Sequence, residues 1–423
     1  MKKKIIAIAA VIAVFSGTLC VTSFAFGTRK NISVNDGVSV YMNGEELKMT
    51  DVNGNPVSGF VYDGTTYVPA RAISEANGKD VTWDQQTGTV YITDHETTDE
   101  SVVQDTQLQK SSGVITTNSG DSVGLSSLEH RTDDTGSPVV YYTSDISSDS
   151  LVKMYEALGV DLQGNVGVKM STGEAGNNNY LHPEFIKSLV DNVEGTVIEC
   201  NTAYGGSRAT TAVHEQTIKD HGFDIVGGVD ILDRDGEMEL PVVGGKHLSV
   251  DYVGKNLANY DSVLVLSHFK GHAMGGFGGA LKNISIGLGS AQGKVWIHTA
   301  GTSKSGSIMH DDQEAFIESM AEAAKAVDDY MGDNIVYINV MNNLSVDCDC
   351  DGNPADPTMG NIGILASTDP VALDQACVDL VYAVPDGSDL IERMESRMGP
   401  HILEYAEGIG FGSTSYNLVS LDD

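Results

Sequence analysis

Aspartate and cysteine alternate over a short run late in the chain, Asp347-Cys348-Asp349-Cys350-Asp351, which Gly352 follows. In an extended segment the three carboxylates would project to one side and the two thiols to the other. Carboxylates packed this densely repel one another unless a cation or solvent relieves the repulsion. We therefore predict that residues 347–351 bind a metal ion, and the alternative is a solvated acidic turn.

The identity of this metal stays open between calcium and a transition metal. The three aspartates and Gly352 match the first half of a calcium-binding loop, but loop position 12 is Thr358 instead of the bidentate glutamate. Cys348 and Cys350 favour a softer divalent ion or a redox pair. A Cys348–Cys350 disulfide, which would remove both thiolates, is the competing form.

A second block, residues 267–283, is rich in glycine and carries two histidines and two lysines. It follows the continuous apolar segment 262–266, which is typical of a strand covered on both faces. Ligands of open α/β sheets bind beyond the carboxyl ends of such strands. We therefore predict that His268 and His272 meet the acidic run and bind a transition metal with Asp349 and the two cysteines. The alternative is a packing turn that the glycines require.

The cations and glycines of this block favour an anionic ligand. Lysine is scarce in so acidic a chain, and glycine permits a close approach of the backbone. Gly279 is predicted to begin a helix whose N-terminal amides hold an anion. The predicted ligand-binding residues are Lys270, Gly275, Gly276, Gly278, Gly279, Lys282 and, in a cluster after another strand, Asn201 and Arg208.

Arg208 enters this prediction because of its place in a predicted helix, 207–221. A cation in the first turn opposes the helix macrodipole, so ligand recognition explains it better than helix stability does. The alternative is an exposed arginine without a role in binding.

The first residues predict export. Three lysines, at positions 2–4, precede an apolar stretch, and Ser23-Phe24-Ala25 gives the small-x-small pattern of a cleavage site. We predict a signal peptide over residues 1–25 and a secreted or cell-envelope-associated protein without a transmembrane span after cleavage. The alternative is an uncleaved anchor.

The charge of the chain excludes one class of partner. Its 59 acidic residues against 25 lysines and arginines give a formal net charge of −34. Nucleic-acid binding needs the opposite sign, whereas divalent cations outside the cell are attracted. Beyond residue 25 the cysteines are too few for a disulfide scaffold.

Residues 32–94 show short alternating segments separated by turn signals, with one predicted helix near 70–76. The stretches 67–73, 81–84 and 89–92 resemble the copper amine oxidase N-terminal-like stalk domain of bacterial envelope proteins. The resemblance implies a β-rich spacer that associates with the cell wall or envelope. No histidine occurs before His95, so no copper site is expected.

Residues 95–137 are polar and lack a sustained apolar period, which predicts a flexible linker. Apolar strands and amphipathic helices then alternate through 138–423. This pattern predicts an α/β domain with a mostly parallel sheet and helices on both faces. Cys377 shares a face with the apolar residues of one predicted helix, so it is expected in the core.

The stretches 267–283, 348–350, 361–374 and 401–406 resemble the domain-of-unknown-function family 362. The resemblance spans about residues 138–423 and implies a fold and a candidate site, but no activity. Many relatives carry a ferredoxin-like insertion whose cysteines bind iron–sulfur clusters. That four-cysteine run is absent here, so we do not expect a ferredoxin-type cluster.

Two functional hypotheses follow. The first is an exported, metal-dependent or redox enzyme with its site between the glycine-rich block and the Asp-Cys run. The second is a non-catalytic envelope protein that binds calcium or a small anionic ligand. No nucleophile–base order is identifiable, so the sequence names no reaction.

Overall fold

The protein is described by a computed structural model, which covers residues 34–42, 45–49, 57–62, 65–76, 79–84, 89–94, 113–309 and 312–422. The chain divides into two compact units, 1–106 and 107–423. The predicted signal peptide lies outside the described residues. Among the residues described, none of the helices combines the length and the apolar character that a membrane crossing needs.

The N-terminal unit consists of short antiparallel sheets, as the sequence predicted for its β-rich domain. Hydrogen bonds join its strands in the groups β1-β4-β5, β2-β3 and β6-β7. The elements are β1 (Asn35–Val38), β2 (Tyr41–Met42), β3 (Glu45–Glu46), β4 (Gly59–Tyr62), β5 (Thr65–Tyr67), α1 (Ala70–Ala76), β6 (Lys79–Asp84) and β7 (Thr89–Asp94).

The C-terminal unit alternates strands and helices. Its first half comprises β8 (Val114–Thr116), β9 (Ser122–Gly124), β10 (Val139–Thr143), α2 (Ser148–Ala157), β11 (Val166–Lys169), α3 (Pro183–Asn192), β12 (Thr196–Glu199), α4 (Thr211–Asp220), β13 (Val229–Ile231), β14 (Glu237–Pro241) and β15 (Val250–Gly254). Its second half comprises β16 (Ser262–His268), β17 (Lys270–His272), β18 (Gly276–Gly278), α5 (Ala280–Ile284), α6 (Ala291–His298), α7 (Gln313–Met331), β19 (Ile335–Met341), β20 (Gly363–Ser367), α8 (Pro370–Ala383), α9 (Ser388–Ser396), α10 (His401–Gly408) and β21 (Asn417–Ser420).

One eight-stranded sheet organises this unit, in the order β13-β12-β11-β16-β19-β20-β10-β21. Every neighbouring pair is parallel except those that β20 makes with β19 and β10. The connections between parallel strands carry helices, as crossover geometry requires. The predicted fold class, a mostly parallel α/β sheet, is confirmed.

Helices cover both faces of the sheet because its central strands alternate apolar side chains between two cores. On β16, Val263 and Val265 join the core that includes residues of α7 and α8, whereas Leu264 and Leu266 join the core of α2 and α3. All seven residues of β16 are buried. This explains the unbroken apolar segment 263–266 within it. Cys377 lies in the first core, as predicted.

Residues 113–137 correct the predicted linker. They form the β8–β9 hairpin and the turns after it, and their apolar side chains enter the core of the α/β unit. Ile115, Val123, Leu125 and Leu128 are each less than 5% exposed. The linker prediction over 95–137 is therefore wrong for this part. Its few apolar residues are separated by polar ones and show no regular helical or strand spacing, so the sequence pattern did not indicate that they are buried.

We predict that a fragment covering 138–423 is much less stable than one covering 107–423. Each of the four buried side chains in the missing segment contributes about 1.5–3 kcal/mol of burial free energy. Urea unfolding should show a clearly lower midpoint for the shorter fragment, with a fragment starting at residue 113 as the control. Equal midpoints for all three would mean that the hairpin adds nothing to the core.

Candidate ligand-binding cavity

A cavity of about 450 Å³ opens at the carboxyl edge of the sheet. The parallel strands β11, β12 and β16 end there with Lys169, Glu199 and His268, and all three side chains line it. The loop after β19 supplies residues 348–352, and the β17–β18 hairpin supplies Lys270 and others. Because the four strands are parallel, their last residues and the loops that follow them lie at the same edge of the sheet. Open α/β sheets bind ligands at this edge.

Most of the predicted site residues line this cavity, but four do not. Those that do are Arg208, His268, Lys270, His272, Gly278, Gly279, Lys282, Cys348, Asp349, Cys350 and Asp351. Gly275 lies in the turn of the β17–β18 hairpin and Gly276 begins β18, and neither lines the cavity. Asn201 bonds to Asp233 and Thr211, and Asp347 pairs with Arg393 at 3.1 Å.

Several lining residues were not predicted from the sequence, and Lys169 and Lys294 matter most among them. Lys169 is the last residue of a buried strand, and Lys294 lies in α6 among apolar neighbours. The sequence signal that could have identified them is a lysine within an apolar segment. Such a residue is rarely buried unless it is paired or functional.

Asp349 is the centre of a buried ion cluster. Its carboxylate accepts hydrogen bonds from His268 Nδ1 and Lys270 Nζ, both at 2.8 Å. Burial alone would raise the pKa of Asp349, but the two neighbouring cations hold this pKa well below its usual range. His268 Nε2 lies 2.6 Å from the carbonyl oxygen of Asn342. Both ring nitrogens thus face acceptors, which only a doubly protonated ring satisfies.

This arrangement bears on the predicted metal site. A ring that donates through both nitrogens offers no lone pair to a metal. His268 and Asp349 neutralise each other here, and together with Lys270 they fix the loop that carries the cysteines.

Arg208 is held in a second ion cluster. Its guanidinium lies 2.6 Å from Glu199 and 3.3 Å from Glu174, and it is only 2% exposed. Burial would raise the pKa of Glu199, but Arg208 and His214 hold this pKa well below its usual range. Helix α4 begins at Thr211, so Arg208 precedes the helix and the macrodipole argument does not apply. Arg208 is also not the exposed arginine of the alternative.

The predicted anion site at the start of α5 is filled by the protein itself. The amides of Ala280 and Leu281 donate to the carboxylate of Asp374 at 2.7 and 3.0 Å. Burial raises the pKa of Asp374 to about 6. A Cβ at Gly279 would lie 2.3 Å from this carboxylate, so glycine is needed for its approach. The prediction that these amides hold a bound ligand is therefore wrong.

Three lysines of the cavity wall have no ion-pair partner within 113–309 and 312–422. Lys169 Nζ donates to the Met170 carbonyl and to Asn283 Oδ1, both at 2.9 Å, and Lys294 Nζ donates to the Gly289 carbonyl at 2.6 Å. For Lys282 the structure gives no acceptor in these ranges. Burial lowers the pKa of Lys169 to about 8, and burial together with nearby Lys270 lowers that of Lys282 to about 7.

Side chains that could hold a metal ion form two groups among the described residues: His272 with Cys348 and Cys350, and, elsewhere, Glu314 with Glu318 and His401. In the first group the ligand atoms lie within 4.8 Å of one another, and a disulfide joins the two sulfurs. The disulfide is the competing form that the sequence left open.

His272 is neutral and accepts hydrogen bonds in this arrangement. Its Nδ1 accepts from the amides of Gly275 at 2.8 Å and Met274 at 3.3 Å, so the neutral ring carries its proton on Nε2. Burial, Lys282 and His298 hold the pKa of His272 well below its usual range. Metal ligation by this ring would require it to rotate or to lose the Nε2 proton.

The fold and cavity define an α/β protein built on a mostly parallel sheet with a small β-rich unit before it. The family model of a domain of unknown function (DUF362) matches residues 166–379, half of the chain, and the chain belongs to this family. A model of the copper amine oxidase N-terminal domain matches residues 39–119. Both resemblances seen in the sequence are thereby confirmed.

Solved structures give only distant similarities. The lactate racemase apoprotein from Thermoanaerobacterium thermosaccharolyticum is 17% identical, with a TM-score of 0.32 over 48% of this chain and 50% of that one. A protein from Thermotoga maritima is 11% identical, with a TM-score of 0.32 over 62% and 58% of the two chains. This chain thus spans half the length of the first and 58% of the second. No curated protein matches it.

We predict that Asp349→Asn lowers the free energy of unfolding at pH 7 by about 3–5 kcal/mol, because it leaves His268 and Lys270 as buried, uncompensated cations. The folded-state pKa of Asp349 lies below its unfolded value, so its contribution is present above about pH 4 and is lost as the pH falls. Urea unfolding from pH 3 to 7 should therefore show a smaller acid-side loss in the variant.

The exposed Asp351, in the same loop, provides the matched control. Asp351→Asn should change the unfolding free energy by about 0.5 kcal/mol or less. If both variants behaved alike, the Asp349 cluster would not anchor the loop.

Proposed function

We propose that the C-terminal unit binds a small organic anion in the cavity at the carboxyl edge of its sheet. One observation carries this: five lysine and arginine side chains line the cavity against four carboxylates, in a chain with 25 lysines and arginines against 59 acidic residues. The cations are Lys169, Arg208, Lys270, Lys282 and Lys294, and the carboxylates are Glu174, Glu199, Asp349 and Asp351.

The distribution of partners supports this proposal. Arg208 and Lys270 already have carboxylate partners, which leaves the charges of three lysines available to a ligand. A buried cation without a counter-ion is costly, and a bound anion would relieve that cost. A volume of about 450 Å³ suits a small molecule, and Met274, Ile286 and Ile308 add an apolar wall.

A second candidate function is a metal-dependent or redox reaction at the cysteine pair. The observation that favours it is the grouping of His272, Cys348 and Cys350 on the wall of the same cavity. When reduced, two thiolates and one imidazole form a donor set that suits zinc or another soft divalent ion. A calcium site would instead use the aspartates of the run, and Asp349 is already occupied by its two cations.

The location of the protein is part of the proposal. We propose that residues 1–25 direct export and that the β-rich unit serves as an envelope-associated spacer, on the basis of the basic-apolar-small order and the resemblance of that unit. N-terminal sequencing of secreted material that began at Met1 would contradict cleavage after Ala25.

We predict that small carboxylates or inorganic phosphate raise the melting temperature at constant ionic strength. Ligand at about 100 times Kd adds about 2.7 kcal/mol of stability, which raises the melting temperature of a unit of this size by about 4 °C. Lys169→Met should weaken the affinity on the order of tenfold or more, because it removes a charge-assisted hydrogen bond worth about 1.5–3 kcal/mol.

The exposed Lys187 on α3 gives the matched control for this experiment. Lys187→Met should keep the full response. The proposal fails if none of oxalate, malonate, pyruvate and phosphate shifts the melting temperature, or if both variants lose the response equally.

For the second candidate we predict that reduced, untagged protein binds one zinc ion per chain and that a Cys348→Ser/Cys350→Ser variant does not. Metal analysis and free-thiol titration measure this directly, with Cys377→Ala as the control because Cys377 is buried in the core. Equal metal content in the wild type and the double variant would leave only the carboxylates as ligands.

A further inference from the structure

Lys282 differs from every other cation of the cavity wall in its surroundings. Lys169, Lys270 and Lys294 each donate to carbonyl or side-chain oxygens, and Arg208 bonds to two glutamates. Within 113–309 and 312–422, Lys282 Nζ has neither a hydrogen bond nor an ion pair. Its side chain passes Gly278, where an added Cβ would lie 3.4 Å from Lys282 Cδ and 3.9 Å from Lys270 Cε. The amine is thus unengaged.

We propose that Lys282 is a nucleophile that forms an imine with the carbonyl carbon of an anionic substrate of the 2-oxo acid class. This inference rests on the proposed anion-binding function and adds a covalent step to it. An imine-forming lysine needs a free amine, a desolvated site and neighbouring cations that disfavour its own protonation.

The electrostatics of the wall meet these needs. Burial and the cations Lys270 and Lys169 lower the pKa of Lys282 to about 7, against the partial opposition of Asp349. Roughly half of the amine is then neutral at pH 7, whereas an exposed lysine with a pKa near 10.4 has a neutral fraction on the order of 10³-fold smaller. Lys282 therefore combines a lowered pKa with an amine that has no hydrogen-bond or ion-pair partner within 113–309 and 312–422.

The step balances without a redox partner. The nitrogen lone pair of Lys282 attacks the carbonyl carbon, and the carbonyl π electrons move to oxygen, which takes a proton to give a carbinolamine. The carbon–oxygen bond then breaks, and the oxygen leaves as water with both hydrogens of the former amine. A carbon–nitrogen double bond remains, and no electron donor or acceptor is consumed.

The remaining cations explain the preference for an acid. Lys169 and Lys294 line the same cavity and have no carboxylate partner among the described residues, so they are available to the carboxylate that adjoins the carbonyl of a 2-oxo acid. His272, which carries its proton on Nε2, also lines the cavity and can donate to a substrate oxygen. A neutral ketone would lack the charge that these lysines recognise.

The test is reductive trapping of the full chain with pyruvate and cyanoborohydride at pH 7. Hydride transfer to the imine converts it to a stable secondary amine, so the chain gains the mass of one pyruvate less one oxygen atom. Peptide mapping should place this adduct at Lys282. Lys282→Arg keeps the charge but removes the nucleophile, so it should lose the adduct, while Lys187→Arg should keep it.

Melting temperatures measured with pyruvate separate this inference from the proposed function on which it rests. If pyruvate stabilises the protein but the adduct is absent, or is spread over exposed lysines, the imine is refuted and anion binding stands. If neither pyruvate nor the other anions stabilise the protein, anion binding itself fails. Should Lys282→Arg not fold, Lys282→Met replaces it, and an undiminished adduct in either folded variant overturns the assignment.

Discussion

The cavity depends on one buried interaction, the pairing of Asp349 with His268 and Lys270. It ties the loop after β19 to the end of β16 and to the hairpin that follows it. Hydrogen bonds from the loop after β11 also hold the backbone around Asp349. The Glu174 amide donates to the Asp349 carbonyl at 2.7 Å, and the Asn177 side chain donates to the Asp351 carbonyl at 2.8 Å. These contacts position the cysteine pair. The carboxylate of Asp349, first interpreted as a metal ligand, thus holds the cavity wall in place.

The fold could be predicted from the sequence because its signals are local. Continuous apolar segments give the central strands, and Asp369 before Pro370 marks the start of α8, where its side chain accepts from the amides of Val371 and Ala372. The meeting of the glycine-rich block with residues 348–351 also followed from local reasoning, since parallel strands end at one edge. The β8–β9 hairpin was not predicted from the sequence. Its few apolar residues are buried only because they pack into the core of the α/β unit, which no local pattern indicates.

The roles within the site could not be predicted, because they depend on partners far away in sequence. Gly279 indicated an open helix end, but Asp374, from another helix, already occupies its amides. The sequence indicated that Arg208 is either exposed or in contact with a ligand. In the structure its guanidinium forms ion pairs with Glu174 and Glu199. Lys282, predicted to bind a ligand, lines the cavity, and what distinguishes it from the other lysines is that it has no partner within 113–309 and 312–422. A pattern in the sequence identifies a charge, and only the packed structure shows whether that charge is already neutralised.

The contrast between an acidic chain and a cationic cavity has a physical consequence for binding. The negative exterior repels an approaching anion over about one Debye length, which is roughly 8–10 Å at physiological ionic strength. Salt screens this repulsion, whereas interactions with the lysines inside the cavity, where Lys169 is buried and Lys282 half-buried, are screened less. If the cavity binds an anion as proposed, entry of that anion becomes easier as the salt concentration rises, while its attraction to Lys169 and Lys282 is largely preserved. A patch of lysines on the surface would behave in the opposite way. Rising salt would weaken both its attraction of an approaching anion and its binding of that anion.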